Sequence, residues 1–231
     1  MKKQVMIIPA LDFQDISKLE VLIRETGKHP FIYGYKLGFS LGLTYGLPKA
    51  VEIIRKYSDK PVIYDHQKAG TDIPDTGELY ASVMSKSGIN EVIIFPQAGP
   101  LTEKSWIEAI KAESLKVIVG GVMTHKSYLE SEGGFIKDSA VEKMYSSAVE
   151  SGVTSFVVPL TKGEIVENLI KKVQFPSNSE FYSPGFGKQG GNPADFPSIK
   201  KHYLIVGRSL LESKEPVQWL EKTKRELQEI L

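Results

Sequence analysis

The sequence predicts an α/β fold: a single (β/α)8 TIM barrel covering residues 1–231 as one domain. Three observations predict it. Short apolar runs recur eight times, stretches with helical spacing of apolar residues lie between them, and several runs are continuously β-branched instead of alternating. Continuous runs suit parallel strands buried on both faces. Strand followed by helix, repeated about eight times, is the pattern of a parallel sheet with helical crossovers, and this many units in one barrel-sized chain favours closure over an open sheet.

The predicted strands are Val5 to Leu11, Phe31 to Leu37, Pro61 to Asp65, Glu91 to Phe95, Leu115 to Val122, Thr154 to Val158, Glu180 to Ser183 and Tyr203 to Val206. The first helix runs from Asp15 to Thr26, with Ile16, Leu19, Leu22 and Ile23 on one face. Leu47 to Tyr57, Leu79 to Ser87, Leu101 to Ala112, Ser139 to Ser151 and Glu164 to Val173 read the same way, and Pro216 to Leu231 closes the chain. No linker, low-complexity tract or second domain interrupts the pattern.

Composition narrows the function. A net charge of +1, from 29 basic and 28 acidic residues, provides no field for nucleic acid or an anionic membrane, so neither is an expected partner. Cysteine is absent, which removes disulfides, thiolate metal sites and cysteine nucleophiles. The apolar run at the N-terminus reaches Asp12 too soon for a signal peptide, and no stretch approaches a membrane span. The expectation is a cytoplasmic protein.

In such barrels the chemistry sits where strands end and βα loops begin. Asp12 ends the first run, Lys36 the second and Asp65 the third, with Lys68 and Asp72 following in one loop. Gln97 and Lys162 fall in similar places with less pattern around them. Alternating charges in a poorly solvated site hold one another in place. They also bring a carboxylate close to an anionic substrate group: two like charges about 4 Å apart repel by about 4 kcal/mol at an effective dielectric near 20. Loss of CO₂ relieves that repulsion, and an adjacent lysine stabilises and then protonates the carbanion. Taken singly, each residue also fits a surface salt bridge, and Asp12 and Asp72 each fit a helix N-cap.

The seventh strand leads into SPGFGKQGG (Ser183 to Gly191) and the eighth into VGRSL (Val206 to Leu210). Glycines let backbone N–H groups approach a phosphate, and Arg208 presents a planar fork of donors to phosphate oxygens. Phosphate sites after these two strands are frequent in this fold. A glycine-rich loop alone is more often a plain turn. Two such loops with an arginine point to phosphate, and Gln189 is placed to donate from the first loop. The phosphate-binding loop, about residues 184–196, is long enough to close as a lid.

These landmarks resemble the orotidine-5′-phosphate decarboxylases. The resemblance runs along nearly the whole chain through Leu11-Asp12, YKLG at Tyr35 to Gly38, DHQKAGTDIPDT at Asp65 to Thr76, MTH at Met123 to His125, SPGFGKQGG and VGRSL. It implies decarboxylation of orotidine 5′-monophosphate to uridine 5′-monophosphate in pyrimidine biosynthesis, without metal or organic cofactor. It implies catalytic roles for Lys36, Asp65, Lys68 and Asp72, with Lys68 as proton donor and Asp65 pressing on the substrate carboxylate. Asp12 and Lys36 would hold the ribose, and Thr124 and Pro184 would lie against the pyrimidine. Gln189, Gly207 and Arg208 would take the phosphate, with Gly185 and Gly187 in the loop. Asp72 and Thr76 would reach the partner's ribose across a homodimer with shared active sites.

The family's third-strand signature is Asp, one residue, Lys, two residues, Asp, Ile. Here two residues separate Asp65 from Lys68 and three separate Lys68 from Asp72. A bulge eased by Gly70 is the expected means of returning Lys68 to the site. Two other readings compete. One is a Mg²⁺-dependent sugar-phosphate aldolase or decarboxylase of the same superfamily, such as hexulose-6-phosphate synthase. The other is a non-catalytic barrel that only binds a phosphorylated ligand, motivated by the longer loop. His66 and His125 raise a metal reading beside Asp65 and Asp72, but the sequence has only four histidines and shows no ligand spacing, so none is expected.

Overall fold

A computed structural model describes residues 3–66 and 72–231. Its eight parallel strands close into a barrel in sequential order: β1 (Gln4–Leu11), β2 (Tyr35–Gly38), β3 (Val62–Asp65), β4 (Glu91–Ile94), β5 (Lys116–Gly120), β6 (Ser155–Val157), β7 (Glu180–Pro184) and β8 (Lys201–Val206). β1 pairs with both β2 and β8, which closes the ring. Around it lie α1 (Ile16–Thr26), α2 (Phe39–Tyr45), α3 (Leu47–Arg55), α4 (Thr76–Lys86), α5 (Pro100–Ala112), α6 (Asp138–Glu150), α7 (Gly163–Lys172), α8 (Arg208–Leu211) and α9 (Pro216–Ile230).

Strand alternation divides the apolar residues between two cores. One face sends Ile7, Leu37, Val92 and Leu204 outward under the helices; the other sends Ile8, Ile63, Ile93, Ile118 and Val157 into the barrel. All are almost wholly buried. This two-sided burial is why the runs read as continuous instead of alternating.

Two local expectations are corrected. The run at Phe31 starts strand pairing only at Tyr35, because the ladder breaks at Tyr33 and Gly34; before the break, Ile32 makes an isolated bridge to Ile7. Helices α2 and α8 were not predicted. Gly42, a poor helix former, hides α2 in the sequence, yet Leu47 packs so close there that a Cβ would meet its side chain at 2.9 Å.

The N-terminal end of the barrel is plugged by charge. Glu91, Lys116 and Glu180 are the first residues of β4, β5 and β7. Lys116 bonds Glu180 and lies 3.7 Å from Glu91. Its ammonium also donates to the Tyr182 hydroxyl at 2.7 Å and the Tyr33 hydroxyl at 3.1 Å. Tyr33 donates to Glu91 Oε1 at 2.5 Å, Tyr182 to Glu91 Oε2 at 3.2 Å and Tyr203 to Glu180 Oε1 at 3.3 Å. Tyr33 stacks on Tyr203 with ring centroids 4.1 Å apart. Burial and the neighbouring Glu91 push the Tyr33 and Tyr182 hydroxyls far above the usual tyrosine range, so both stay donors.

Candidate active site

The opposite end of the barrel opens into a cavity of about 510 Å³. Its charged wall comes from three consecutive strand ends. Lys36, within β2, is only 3% exposed. Its ammonium lies 3.2 Å from Asp12 Oδ1 and 3.2 Å from Asp65 Oδ2. Burial works to lower the Lys36 pKa, but the Asp65 and Asp12 carboxylates outweigh it and hold the pKa above the usual lysine value. The residue is therefore a fixed cation. The local sequence makes room for this arrangement. A Cβ at position 38 would sit 2.4 Å from Asp12 Oδ1, so the glycine of YKLG admits the carboxylate.

The helix-cap alternative for Asp12 fails. The cap of α1 is Asp15, which accepts from the N–H groups of Ser17 and Lys18. Asp12 is left at the mouth, with its side chain 48% exposed. The floor of the cavity is apolar, formed by Ile93, Phe95, Val122, Val157 and Ile205. Thr124 and Pro184 also line the cavity.

The far side gathers both glycine-rich loops. Gly185, Gln189, Gly207 and Arg208 line the cavity. Gly187 shapes the loop without lining it: its φ of +77° is a glycine conformation, and a Cβ there would meet Ser209 Oγ at 2.6 Å. The helix after Gly207 is a single turn of four residues, too short for a macrodipole. What it offers an anion is local backbone donors and the Arg208 guanidinium.

Sequence reasoning missed Lys188 and Ser209, which also line the cavity. The Lys188 N–H donates to Ser209 Oγ at 3.3 Å, and its ammonium pairs with Glu212. The only sequence signal was position, within SPGFGKQGG and VGRSL. The C-terminal base of the loop is tied down. Asn192 caps a short 3-10 turn, and Lys3 donates to the carbonyls of Pro193 at 2.5 Å and Phe196 at 2.8 Å.

Asp72 and Thr76 lie away from the cavity lining. Asp72 Oδ1 accepts from the Ile73 N–H at 2.7 Å, and the Thr76 hydroxyl donates to the Ile73 carbonyl at 2.8 Å. Their segment is fastened to α5 by Thr102, Ser105 and Trp106, which donate to the carbonyls of Asp72, Pro74 and Ile73. Lys68, the expected proton donor, lies outside the described residues, as does the expected bulge at Gly70. Gln97 donates to the Tyr128 hydroxyl, and Lys162 pairs with Glu132; neither lines the cavity. His66 is bonded to the Tyr64 hydroxyl, and His125 sets its ring against the edge of Tyr128. Among the described residues, no three His, Asp or Glu side chains are grouped as a metal ion requires. Among the same residues, no helix is long and apolar enough to cross a membrane.

Comparison with known proteins places this geometry. The sequence profile of the orotidine 5′-phosphate decarboxylase / HUMPS family matches residues 6–223. The orotidine 5′-phosphate decarboxylase of Methanosarcina mazei is 31% identical over 220 residues, covering 94% of this chain and 92% of that one. That of Methanococcoides burtonii is 29% identical, covering 96% and 97%. The crystal structure of orotidine 5′-monophosphate decarboxylase from Methanocaldococcus jannaschii, complexed with inhibitor BMP, superposes with a TM-score of 0.81 at 26% identity, covering 98% of this chain and 99% of that one. A match of this extent, over a barrel whose mouth carries the expected charges, means that the chain belongs to the orotidine 5′-phosphate decarboxylase / HUMPS family.

Proposed function

We propose that this chain is a carboxy-lyase that converts orotidine 5′-monophosphate to uridine 5′-monophosphate in pyrimidine biosynthesis. The observation that carries the proposal is Lys36, buried between Asp12 and Asp65 on one wall of a cavity whose other wall holds Arg208 and Gln189. One wall suits a ribose and a reacting carboxylate, the other a phosphate, and the apolar floor between them suits a planar base.

In this reading Arg208, Gln189, Gly207 and the Gly185–Gly187 turn bind the phosphate, and the loop from 184 to 196 closes over it. Remote binding energy then holds the pyrimidine, between Thr124 and Pro184, with its carboxylate against Asp65. Lys36 holds Asp65 in place, so the repulsion is relieved only when the carbon–carbon bond breaks and CO₂ departs. The electron pair stays on the ring carbon, and the Lys68 ammonium stabilises it and transfers a proton to it. No metal takes part in the reaction. Asp72 and Thr76 complete the neighbouring site in a homodimer. Supporting the dimer, Ile73, Leu79, Val83 and Leu101 beside them expose 58%, 70%, 46% and 71% of their surface, an apolar stripe that a second copy would cover.

The test is loss of orotidylate absorbance with purified protein, with and without a chelator. Chelator-resistant turnover is expected; turnover abolished by the chelator, or none at all, overturns the reading. Lys68→Ala should abolish turnover while retaining nucleotide binding, and near-normal turnover would remove it as proton donor. Leu79→Asp should shift the sedimenting species from dimer to monomer.

A further inference from the structure

The loop residue between Gly187 and Gln189 carries a charge that the phosphate reading leaves unused. Lys188 lines the cavity with Arg208, Gln189 and Ser209. Its backbone is fixed on both sides: Gly187 packs on Ser209, and the Lys188 N–H donates to the Ser209 hydroxyl. Its ammonium rests on Glu212, one residue beyond α8, the turn that begins with Arg208. The two side chains are 52% and 55% exposed, so the pair lies in water at the rim. The bond from Lys188 holds the Glu212 carboxyl below the usual glutamate range, with smaller pulls from Arg208 and Lys18. Glu212 thus sets a carboxylate against Lys188 and within electrostatic reach of Arg208.

We propose that Lys188 is a further phosphate ligand, parked on Glu212 until a 5′-monophosphate enters and then exchanging the glutamate for the phosphate. The proposal rests on the nucleotide reading above and adds a specificity residue to it. An exposed ion pair contributes little and is easily released. A phosphate dianion next to Arg208 attracts the ammonium more strongly than a single carboxylate at the same range. Because the Lys188 backbone is already held on Ser209, only its side chain has to swing. Glu212 then acts as an intramolecular competitor that weakens the resting affinity for phosphate.

The experiment measures binding of uridine 5′-monophosphate and of uridine by titration calorimetry, alongside turnover. Lys188→Gln should weaken the nucleotide about tenfold and leave the nucleoside unchanged. Lys188→Arg should recover most of the loss. Glu212→Gln should tighten the nucleotide about two- to threefold, since the competitor is gone. Unchanged nucleotide affinity in Lys188→Gln overturns the proposal. So does an affinity at or below wild type in Glu212→Gln, because the pair would then only brace the loop. Failures of the two readings separate. A wild-type protein that leaves orotidylate intact but shows the tenfold loss in Lys188→Gln refutes the reaction and keeps the ligand. Normal turnover with no loss in Lys188→Gln refutes the ligand alone.

Discussion

Each end of the barrel holds a lysine between two carboxylates, and the two ends do opposite things with it. At the mouth, Lys36 sits between Asp12 and Asp65. At the opposite, N-terminal end, the floor of the barrel as distinct from the apolar floor of the cavity, Lys116 sits between Glu91 and Glu180. The floor surrounds its charges with the hydroxyls of Tyr33, Tyr182 and Tyr203, so the carboxylates are met by fixed protein donors. The mouth sets the same charges against a cavity of about 510 Å³. A saturated network is a plug; the same network facing a cavity is a binding surface. The difference lies in which groups are left to meet a ligand, and in the direction along the strands from which they come.

Exchanging each lysine for methionine should separate the two roles. Lys36→Met leaves two carboxylates facing each other without their cation, at the place where the proposed function puts the reacting carboxylate. We expect kcat/KM to fall on the order of 10³-fold, with the circular dichroism of the barrel retained. A loss below tenfold would make the mouth triad structural, like the floor. Lys116→Met should do the reverse. It strands Glu91, only 4% exposed, and should cost on the order of 3 kcal/mol in denaturant unfolding. Its kcat/KM should stay within about threefold of wild type, because the apolar layer of Ile93, Ile118 and Val157 separates floor from mouth.

Acid sharpens the comparison by a third location. His202 of β8 is fully buried, with Nε2 2.7 Å from Ser183 Oγ on β7. Burial, with a smaller push from Lys3, lowers its pKa from 6.5 to about 3. Between those values the unfolded chain takes up a proton that the folded chain refuses. The stability contribution is therefore complete above pH 6.5 and declines as the pH falls, by about 2–3 kcal/mol at pH 4.5. Glu180 responds later. Its burial raises the carboxyl pKa, but the bonds from Lys116 and Lys201 outweigh that and hold it below the usual value. Its contribution is present above about pH 4.5 and is lost only as the pH drops through its lowered pKa. Glu91 runs the other way, because burial keeps its pKa raised despite Lys116, so protonation of the folded form offsets part of the loss. Chemical unfolding between pH 7 and pH 4.5 should therefore report His202. A His202→Gln variant should flatten that limb, and an unaltered limb would show that His202 does not carry it.

The mouth was legible in the sequence because its residues end apolar runs. Asp12, Lys36 and Asp65 each interrupt a buried stretch at the side where barrel chemistry is expected. The floor was illegible for the converse reason. Glu91, Lys116 and Glu180 begin their strands, where a charge reads as ordinary solvation, and only closure of the ring brings residues 91, 116 and 180 together. Tyr33 was hidden inside a run read as continuous strand. Lys188 was passed over because a lysine among glycines looks like a solvated turn, and its neighbour Ser209 lies 21 residues further along the chain. The length of the Asp65–Asp72 interval was plain, but not its path, since two extra residues allow many routes between the same ends.

The smallest effect should come from the floor's outermost hydroxyl. The Tyr33 hydroxyl donates to Glu91 and accepts from Lys116, as the more deeply buried Tyr182 hydroxyl also does. Tyr33→Phe keeps the stack on Tyr203 and deletes those two bonds and the long one accepted from the Tyr182 hydroxyl at 3.4 Å. Glu91 keeps the Tyr182 donor, so the carboxylate is not orphaned, and the cost should be about 1 kcal/mol. Removing a donor to the ionised form should also raise the Glu91 pKa further. The deficit relative to wild type should therefore be larger at pH 8 than at pH 5. KM for the nucleotide should not change. A mutant equally destabilised at both pH values would show that the hydroxyl serves packing alone; a changed KM would show that the two ends of the barrel are coupled.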